Sequence, residues 1–327
     1  MTNRLIVGVA SANGLGHALR IQKILEGFSE LGLNTKLICT NRQARLMSKN
    51  SEPQILESIV EQEPIGLDGP SIINWSNKPT RNTLSVLSKA SLVISDNVLW
   101  PVNYTKNFAL CANFLWLDYW RKIRNSEKRD EIIEDEILLS KINMIFDYEL
   151  FSQLQEQSNL RLKIPYRLNS NDMLQKKDEI WISCGTIEQS KNLFNVIRNF
   201  GITEEIKYFE TFEISRLKLK PKLVIGRSGV GTITDCIAHK IPFIPFLTSA
   251  DYELEFNQKV LANLGMINEN FLPASGQTYT RENLESQINY AFQQATRIEK
   301  LKKNALGDPK IVAKAIYDFA MNQRMKS

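Results

Sequence analysis

The chain has 327 residues, of which 43% are hydrophobic and 24% are charged, with a formal net charge of +5. This length is enough for two domains, and the composition is that of a globular protein with a packed core. The small excess of 41 basic over 36 acidic residues excludes a dedicated nucleic-acid binder, although it is compatible with weak attraction to phosphates or to an anionic membrane.

Cysteine and histidine are too few and too widely spaced to predict a metal site. The chain has four cysteines, none in a C-x-x-C pair, and two histidines. We therefore expect free thiols in a reducing compartment. No secretory signal pattern and no apolar run of 18 residues is visible, so the sequence predicts a cytoplasmic protein.

The first half of the chain alternates apolar, strand-like runs with amphipathic segments. The predicted strands are Leu5–Ala10, Thr35–Thr40, Leu92–Ser95 and Phe108–Leu117. The predicted helices are Ala18–Leu31, Arg42–Lys49 and Thr80–Lys89. Alternation of this kind predicts a parallel sheet covered by helices.

After a polar region at 157–177, which we interpret as a linker, the alternation resumes. The predicted elements are strands Glu179–Ser183, Ile206–Phe212, Lys222–Ile225 and Pro242–Phe246, with helices Gln189–Asn199, Val230–His239 and Glu253–Leu264. Asp308 and Pro309 predict the start of a last helix. We expect an α/β protein with two Rossmann-like, doubly wound domains, 1–165 and 166–306, that face each other across a cleft. Residues 307–327 are expected to form a C-terminal helix that packs back on the first domain.

A turn with two glycines follows the first strand. Gly14 and Gly16 precede His17, which falls in the first turn of the predicted helix. Leu19 occupies the position of the third glycine in the dinucleotide fingerprint, so a nicotinamide cofactor is not expected. The positive end of the helix dipole favours a neutral imidazole, which suits a general base. A capping role in its own helix is the alternative for His17.

A second glycine-rich turn lies between the strand predicted at 222–225 and the helix predicted at 230–239. Residues 226–232 read Gly-Arg-Ser-Gly-Val-Gly-Thr. The N–H groups of the helix start, with the hydroxyls of Ser228 and Thr232, could hold a diphosphate. The lysine of a Walker-type ATPase loop is missing, which disfavours that function.

Acidic and amide side chains follow this turn at helical spacing. Asp235 lies one helical turn further on, where its carboxylate could accept ribose hydroxyls. Glu253 and Asn257 are four residues apart and share a helix face that could reach sugar hydroxyls, while Asp251 could cap their helix. A solvated helix surface is the alternative for these positions.

Together these motifs resemble the GT-B glycosyltransferases of family 28, of the type that adds N-acetylglucosamine in peptidoglycan synthesis. The resemblance rests on the N-G-L-G-H-x-x-R start at 13–20, on 226–235 and on 253–257, and it spans nearly the whole chain. It implies a GT-B fold with a nucleotide-sugar donor, most often a UDP-sugar, on the second domain and the acceptor on the first. It also implies inverting transfer without a metal or other cofactor.

The resemblance implies roles for individual residues. His17 would act as the base or as a positioner of the diphosphate, with Asp96 as its carboxylate partner; a strand-end turn is the alternative for Asp96. Asp235 stands where the family more often has glutamate. The donor-binding residues implied are Gly14, Gly16, Ser183, Gly185, Thr186, Arg227, Ser228, Gly229, Gly231, Thr232, Asp235, Asp251, Glu253 and Asn257.

The expected partners are a nucleotide-sugar donor and a saccharide or lipid-linked acceptor of cell-envelope polysaccharide or glycolipid synthesis. The segment 113–124 mixes aromatic and basic residues, which predicts an acceptor or membrane-edge surface, with peripheral contact at the inner face of the membrane. A core strand followed by a solvated helix is its alternative. Two other functions stay open, namely a nucleotide-sugar hydrolase on the same fold and a non-catalytic partner subunit.

Overall fold

In the computed structural model, the chain forms two compact units, each built around a parallel sheet. The first unit comprises residues 1–167 and 307–327, and the second comprises 168–306. The first boundary lies two residues beyond the one expected from the sequence. The structure describes residues 4–11, 15–48, 57–61, 79–115, 117–118, 121, 133, 136–154, 157–167, 174–202, 204–210, 219–247, 252–274 and 277–326.

The elements follow one another in the α/β alternation that the sequence predicts, and the α/β class is confirmed. The strands are β1 (Leu5–Val9), β2 (Asn34–Thr40), β3 (Glu57–Glu61), β4 (Leu92–Asp96), β5 (Phe108–Cys111), β6 (Ile145–Tyr148), β7 (Leu160–Leu162), β8 (Ile164–Pro165), β9 (Gln175–Lys176), β10 (Glu179–Ser183), β11 (Glu205–Phe209), β12 (Leu219–Lys220), β13 (Leu223–Gly226), β14 (Phe243–Pro245) and β15 (Leu306–Gly307). The α-helices are α1 (Leu15–Glu30), α2 (Asn41–Ser48), α3 (Arg81–Lys89), α4 (Ile187–Asn199), α5 (Val230–His239), α6 (Tyr252–Asn263), α7 (Arg281–Phe292), α8 (Ala295–Ala305) and α9 (Pro309–Lys326). Short 3-10 helices span Trp100–Tyr104 and Glu269–Phe271.

The first unit contains a seven-stranded sheet in the order β3-β2-β1-β4-β5-β6-β7, parallel at every pairing. The chain moves outwards from β1 to β3 and then returns to the other side of β1 with β4. The strand order therefore reverses between β1 and β4. In doubly wound sheets, ligands bind outside the carboxyl ends of the strands at such a reversal.

The central strands of this sheet are apolar on both faces. Ile6 and Val7 on β1 and Val93 and Ile94 on β4 are fully buried, although successive side chains point to opposite faces. Strands with helices packed on both faces have this pattern, because each face is covered. The core thus fixes the position of the strand ends at which the chain leaves β1 and β4.

The second unit contains a four-stranded parallel sheet in the order β11-β10-β13-β14. The chain passes from β10 outwards to β11 and returns on the other side with β13, so this sheet also has a reversal, between β10 and β13. Trp181 and Ile182 on β10 and Val224 and Ile225 on β13 are fully buried. β9 and β12 form a separate parallel ribbon.

The helix at the end of the chain packs within the first unit. The rings of Phe28 on α1 and Tyr317 on α9 meet edge to face with centroids 6.4 Å apart. Gly27 marks the closest approach, since a Cβ there would lie 2.1 Å from the carbonyl oxygen of Pro309. Asp308 caps α9, its carboxylate accepting a backbone N–H of the first turn at 2.8 Å.

The predicted linker and one predicted strand are wrong in part. Within 157–177, β7 pairs with β6 in the first sheet, and Leu162 and Ile164 are buried. The sequence did not predict this strand because only alternate side chains of a strand face the core, and the residues around them are polar. The strand predicted at Phe108–Leu117 ends at Cys111. β3 and β6 are absent from the sequence predictions, since β3 has charged residues at both ends and β6 contains Asp147, which interrupts its apolar run.

The aromatic and basic segment 113–124 falls only partly within the described residues. There, Phe114, Leu115 and Leu117 are buried, so this part of the segment belongs to the core. Trp116, with the side chains of Tyr119 and Trp120, lies outside the described residues. Among the helices that the structure describes, none has the length and apolar character needed to cross a membrane.

We expect Gly27→Ala to lower the free energy of unfolding by about 1–3 kcal/mol, because the new methyl group collides with the backbone at the start of α9. The matched control is Gly16→Ala in the same helix, where no described atom other than those of the adjacent residues and of the helix's own backbone lies within 4 Å of the added Cβ. Alanine there should be neutral or stabilising by up to about 1 kcal/mol. Urea unfolding measures both variants, and equal stability of the two would contradict the packing of α9 on α1.

Candidate functional site

Three polar side chains meet at the carboxyl ends of β1 and β4 in the first unit. His17 and Arg20 lie one turn apart on α1, which follows β1, and Asp96 is the last residue of β4. Nδ1 of His17 lies 3.2 Å from Oδ1 of Asp96. Arg20 binds the same carboxylate through two N–H groups, Nε to Oδ2 at 2.7 Å and Nη2 to Oδ1 at 3.0 Å. The structure thus brings His17 and Asp96 together, while their catalytic role stays a prediction.

The cluster is buried and carries a fixed anion. The side chains of Asp96, His17 and Arg20 are 1%, 9% and 11% exposed. Burial by itself would raise the pKa of the Asp96 carboxyl, but the positive charge of Arg20 and its hydrogen bonds lower it below its ordinary value of 3.8. Asp96 is therefore ionised at neutral pH.

Two neutral side chains lie on the next two strands of the sheet, β5 and β6. Cys111, at the end of β5, pairs with Asp96 in the strand register, and Tyr148 ends β6. Burial raises the pKa of the Cys111 thiol and of the Tyr148 hydroxyl, so both keep their protons. Arg20 is consequently the main counter-charge of Asp96.

Arg20 is the residue of this cluster to which the sequence analysis gives no role. It belongs to the H-x-x-R part of the start motif, and a spacing of three puts it on the same helix face as His17. That spacing was the available signal. What it could not show is that Arg20 contacts Asp96, which lies 76 residues further along the chain.

In the second unit, the loops that leave β10 and β13 lie side by side. The register pairs Ser183 with Gly226, and the N–H of Arg227 donates to the Ser183 carbonyl oxygen at 2.9 Å. A Cβ on Gly226 would lie 2.3 Å from that oxygen, so only glycine permits this approach. The exposed Arg227 side chain extends beside Gly185, with one guanidinium nitrogen 3.3 Å from the position of a Cβ there.

Two helices begin at this edge of the sheet with different caps. Thr186 caps α4, its hydroxyl accepting the N–H of Gln189 at 3.2 Å. α5 follows Gly229, which has no side chain to serve as a cap. Apart from the adjacent residues and the backbone of the helix itself, no described atom lies within 4 Å of a Cβ built on Gly229 or Gly231. An uncapped helix start with room around it is typical of a phosphate site, because its N–H groups and dipole favour an anion.

Ser228 and Asn257 serve the packing of the second unit. Ser228 is fully buried, and its hydroxyl donates to the Leu254 carbonyl oxygen at 2.9 Å. The Asn257 amide, 1% exposed, donates to the Ser228 carbonyl oxygen at 2.8 Å. These bonds tie the start of α6 to the glycine-rich turn. The roles expected of Ser228 at a diphosphate and of Asn257 at a sugar stay predictions.

The remaining candidates divide by exposure. Asp235 is only 6% exposed, which excludes the alternative of a solvated helix charge. Thr232 and Glu253 are partly exposed. Gly14 and Asp251 lie outside the described residues.

Within the part of the chain that is described, no three His, Cys, Asp or Glu side chains are grouped as a metal site requires.

Comparison with protein families gives one match in the second half of the chain. A model described as the glycosyltransferase family 28 C-terminal domain matches residues 153–318. A comparison with curated protein sequences finds no match.

Solved structures of similar fold cover almost the whole chain. LpCGTa in complex with UDP is 12% identical, with a TM-score of 0.67 over 98% of this chain and 99% of that one. Phytolacca americana UGT2, complexed with UDP-2fluoro-glucose and pterostilbene, is 13% identical, with a TM-score of 0.63 over 98% and 99%. CalG4, the calicheamicin glycosyltransferase, is 9% identical, with a TM-score of 0.61 over 98% of both chains. This likeness shows the GT-B fold.

We expect Asp96→Asn to lower the free energy of unfolding by about 3 kcal/mol at pH 7, because the buried Arg20 loses its counter-charge. The control is Asp318→Asn, which breaks an exposed pair with Lys314 and should cost less than about 1 kcal/mol. Urea unfolding compares both variants with the unchanged protein.

The effect of Asp96→Asn should depend on pH in one direction. The folded-state pKa of Asp96 lies below its ordinary value of 3.8, so its contribution is present above about pH 4 and is lost as the pH falls through the folded value. The difference between variant and unchanged protein should therefore narrow between pH 7 and about pH 3. A constant difference would contradict an ionised, stabilising Asp96.

We expect Gly226→Ala to destabilise the second unit by about 1–3 kcal/mol, because its methyl group meets the Ser183 backbone. Gly231→Ala is the matched control in the open helix start and should leave stability unchanged or slightly higher. Amide hydrogen exchange of peptides from β10 and β13 reports the local effect. Equal protection in both variants would contradict the close contact of the two loops.

Proposed function

Because this chain belongs to glycosyltransferase family 28 through its C-terminal domain, we propose that it transfers a sugar from a nucleotide-diphosphate sugar to an acceptor hydroxyl. One observation carries the proposal. Each of the two parallel sheets places polar or glycine-rich residues at the reversal of its strand order, namely His17, Arg20 and Asp96 in the first and the turn from Gly226 to Gly229 in the second; this is where doubly wound sheets bind ligands.

The donor is assigned to the second unit. Its diphosphate would lie against the start of α5, where Gly229 and Gly231 leave room and the exposed Arg227 supplies positive charge. Asp235 on the next turn would accept the ribose hydroxyls, and Glu253 would contact the donor sugar. The UDP in the LpCGTa complex and the UDP-2fluoro-glucose in the UGT2 complex support a UDP-sugar as the donor.

The proposed reaction is a single displacement with inversion. The acceptor oxygen forms a bond to the anomeric carbon while the bond from that carbon to the diphosphate oxygen breaks, and its electron pair leaves with the diphosphate. The acceptor hydroxyl proton ends on His17 or on the released diphosphate. In this scheme the N–H groups of α5 and Arg227, rather than a metal ion, stabilise the charge that develops on the diphosphate.

The acceptor is assigned to the first unit, with His17 and Asp96 at its reacting hydroxyl. A saccharide or lipid-linked acceptor of cell-envelope or glycolipid synthesis, met in the cytoplasm or at the inner membrane face, follows from the resemblance to the peptidoglycan type. The buried Arg20–Asp96 pair supports a preorganised site here, because it holds one side of His17 without exposing a mobile charge.

A screen of nucleotide sugars by thermal shift tests the donor assignment. A ligand at one hundred times its Kd stabilises the folded protein by about 2.7 kcal/mol, so the correct donor should raise the melting temperature clearly. Gly231→Ala should reduce this shift without lowering the stability of the free protein, because its methyl group occupies the room at the helix start. No shift with any nucleotide sugar would contradict the donor site.

Transfer assays with the donor found in this screen test the reaction. We expect His17→Ala to lower the transfer rate by about 10²–10⁴-fold while the donor-induced thermal shift persists. The matched control is His239→Ala, which changes the only other histidine and should leave the rate unchanged. Complete donor hydrolysis without an acceptor would favour the hydrolase, and an unchanged rate in His17→Ala would contradict the role of His17.

A further inference from the structure

The position of Arg20 decides which nitrogen of His17 carries the proton. Nη2 of Arg20 lies 2.9 Å from Nδ1 of His17 and 3.0 Å from Oδ1 of Asp96. A guanidinium nitrogen can only donate hydrogen bonds. A protonated Nδ1 would therefore place two donors 2.9 Å apart, whereas an unprotonated Nδ1 accepts a hydrogen bond at an ordinary distance.

The competing arrangement has Nδ1 protonated and donating to Asp96. Its separation of 3.2 Å is longer than the contact between Nδ1 and Arg20. Both oxygens of Asp96 already accept from Arg20, at 2.7 and 3.0 Å. The carboxylate consequently does not need His17 as a donor, and the shorter contact is the one to Arg20.

The charges in the buried cluster also favour an unprotonated Nδ1 on His17. Asp96 and Arg20 are 1% and 11% exposed, and their charges cancel. Cys111 and Tyr148 behind them keep their protons because burial raises the pKa of each. A neutral imidazole that accepts from Arg20 satisfies Nδ1 without bringing another charge into this buried place.

We propose that Arg20 is a positioning residue that holds His17 in the neutral tautomer with the hydrogen on Nε2, while Asp96 holds Arg20. The described residues form no hydrogen bond with Nε2, and we assign its N–H to a substrate. This role rests on the proposed function. In that reaction, His17 donates a hydrogen bond to a negatively charged substrate oxygen, and the proton of the acceptor hydroxyl leaves with the diphosphate.

Nitrogen NMR of the histidine rings tests the tautomer directly. The chain has two histidines, so ¹⁵N-histidine labelling gives two ring systems, and His239→Gln identifies that of His17. At about pH 8.5, well above the ordinary histidine pKa, Nδ1 of His17 should show the shift of an unprotonated nitrogen and Nε2 that of a protonated one. A protonated Nδ1, or shifts averaged between the two tautomers, would overturn the proposal.

Arg20→Met removes the donor and should move the hydrogen to Nδ1, where it can bond to Asp96. Arg20→Lys keeps a donor and should retain the Nε2 tautomer. An Nε2 tautomer that persists in Arg20→Met would show that Arg20 does not set it. The spectrum of the unchanged protein decides the tautomer even where Arg20→Met fails to fold.

A kinetic comparison separates a donor from a base. The side-chain amide of His17→Gln can donate a hydrogen bond but cannot take up a proton. We expect His17→Gln to transfer sugar at least tenfold faster than His17→Ala, whereas equal rates would overturn the donor role. Because the NMR measurement needs no substrate, the expected tautomer in a protein without transferase activity would contradict the proposed function alone.

Discussion

Neighbouring parallel strands can be joined only by a crossover that passes over one face of the sheet, and this constraint fixes where both candidate sites lie. Where the strand order reverses, consecutive crossovers leave towards opposite faces, and the loops at the carboxyl edge separate. The first sheet reverses between β1 and β4, and the second between β10 and β13. Each candidate site consists of the loops and helix starts that follow these strands.

The two units use this edge with different chemistry. The first holds a charged side-chain cluster, in which Arg20 neutralises a buried carboxylate and contacts His17. In the second, the candidate site consists mainly of backbone groups. Gly226 lets two loops come into contact, and Gly229 leaves the start of α5 without a side-chain cap. A buried ion pair is costly to desolvate, so it adds little net stability and is better understood as fixing geometry.

Local pattern predicted some elements to the residue. Val230–His239 and Glu179–Ser183 have the bounds that the sequence predicts, because each is a continuous apolar or amphipathic run bounded by glycine or polar residues. β7 was not predicted because it has only three residues, Leu-Arg-Leu, within a polar region of the chain. Ser228 was correctly placed in the turn, but its hydroxyl bonds to the Leu254 carbonyl oxygen, a partner set by the packing of α6.

The sequence by itself determined the α/β alternation, the glycine-rich turn after β13 and the presence of His17 at a helix start, since spacing along the chain encodes each of them. The family resemblance implied Asp96 as a partner for His17, but the tertiary structure alone decided that Arg20 bonds to both and that Ser228 and Asn257 are buried. The physical reason is the separation along the chain over which each interaction acts. Periodicity, caps and turns act within a few residues, whereas these contacts depend on strand order and on packing between segments far apart in the chain.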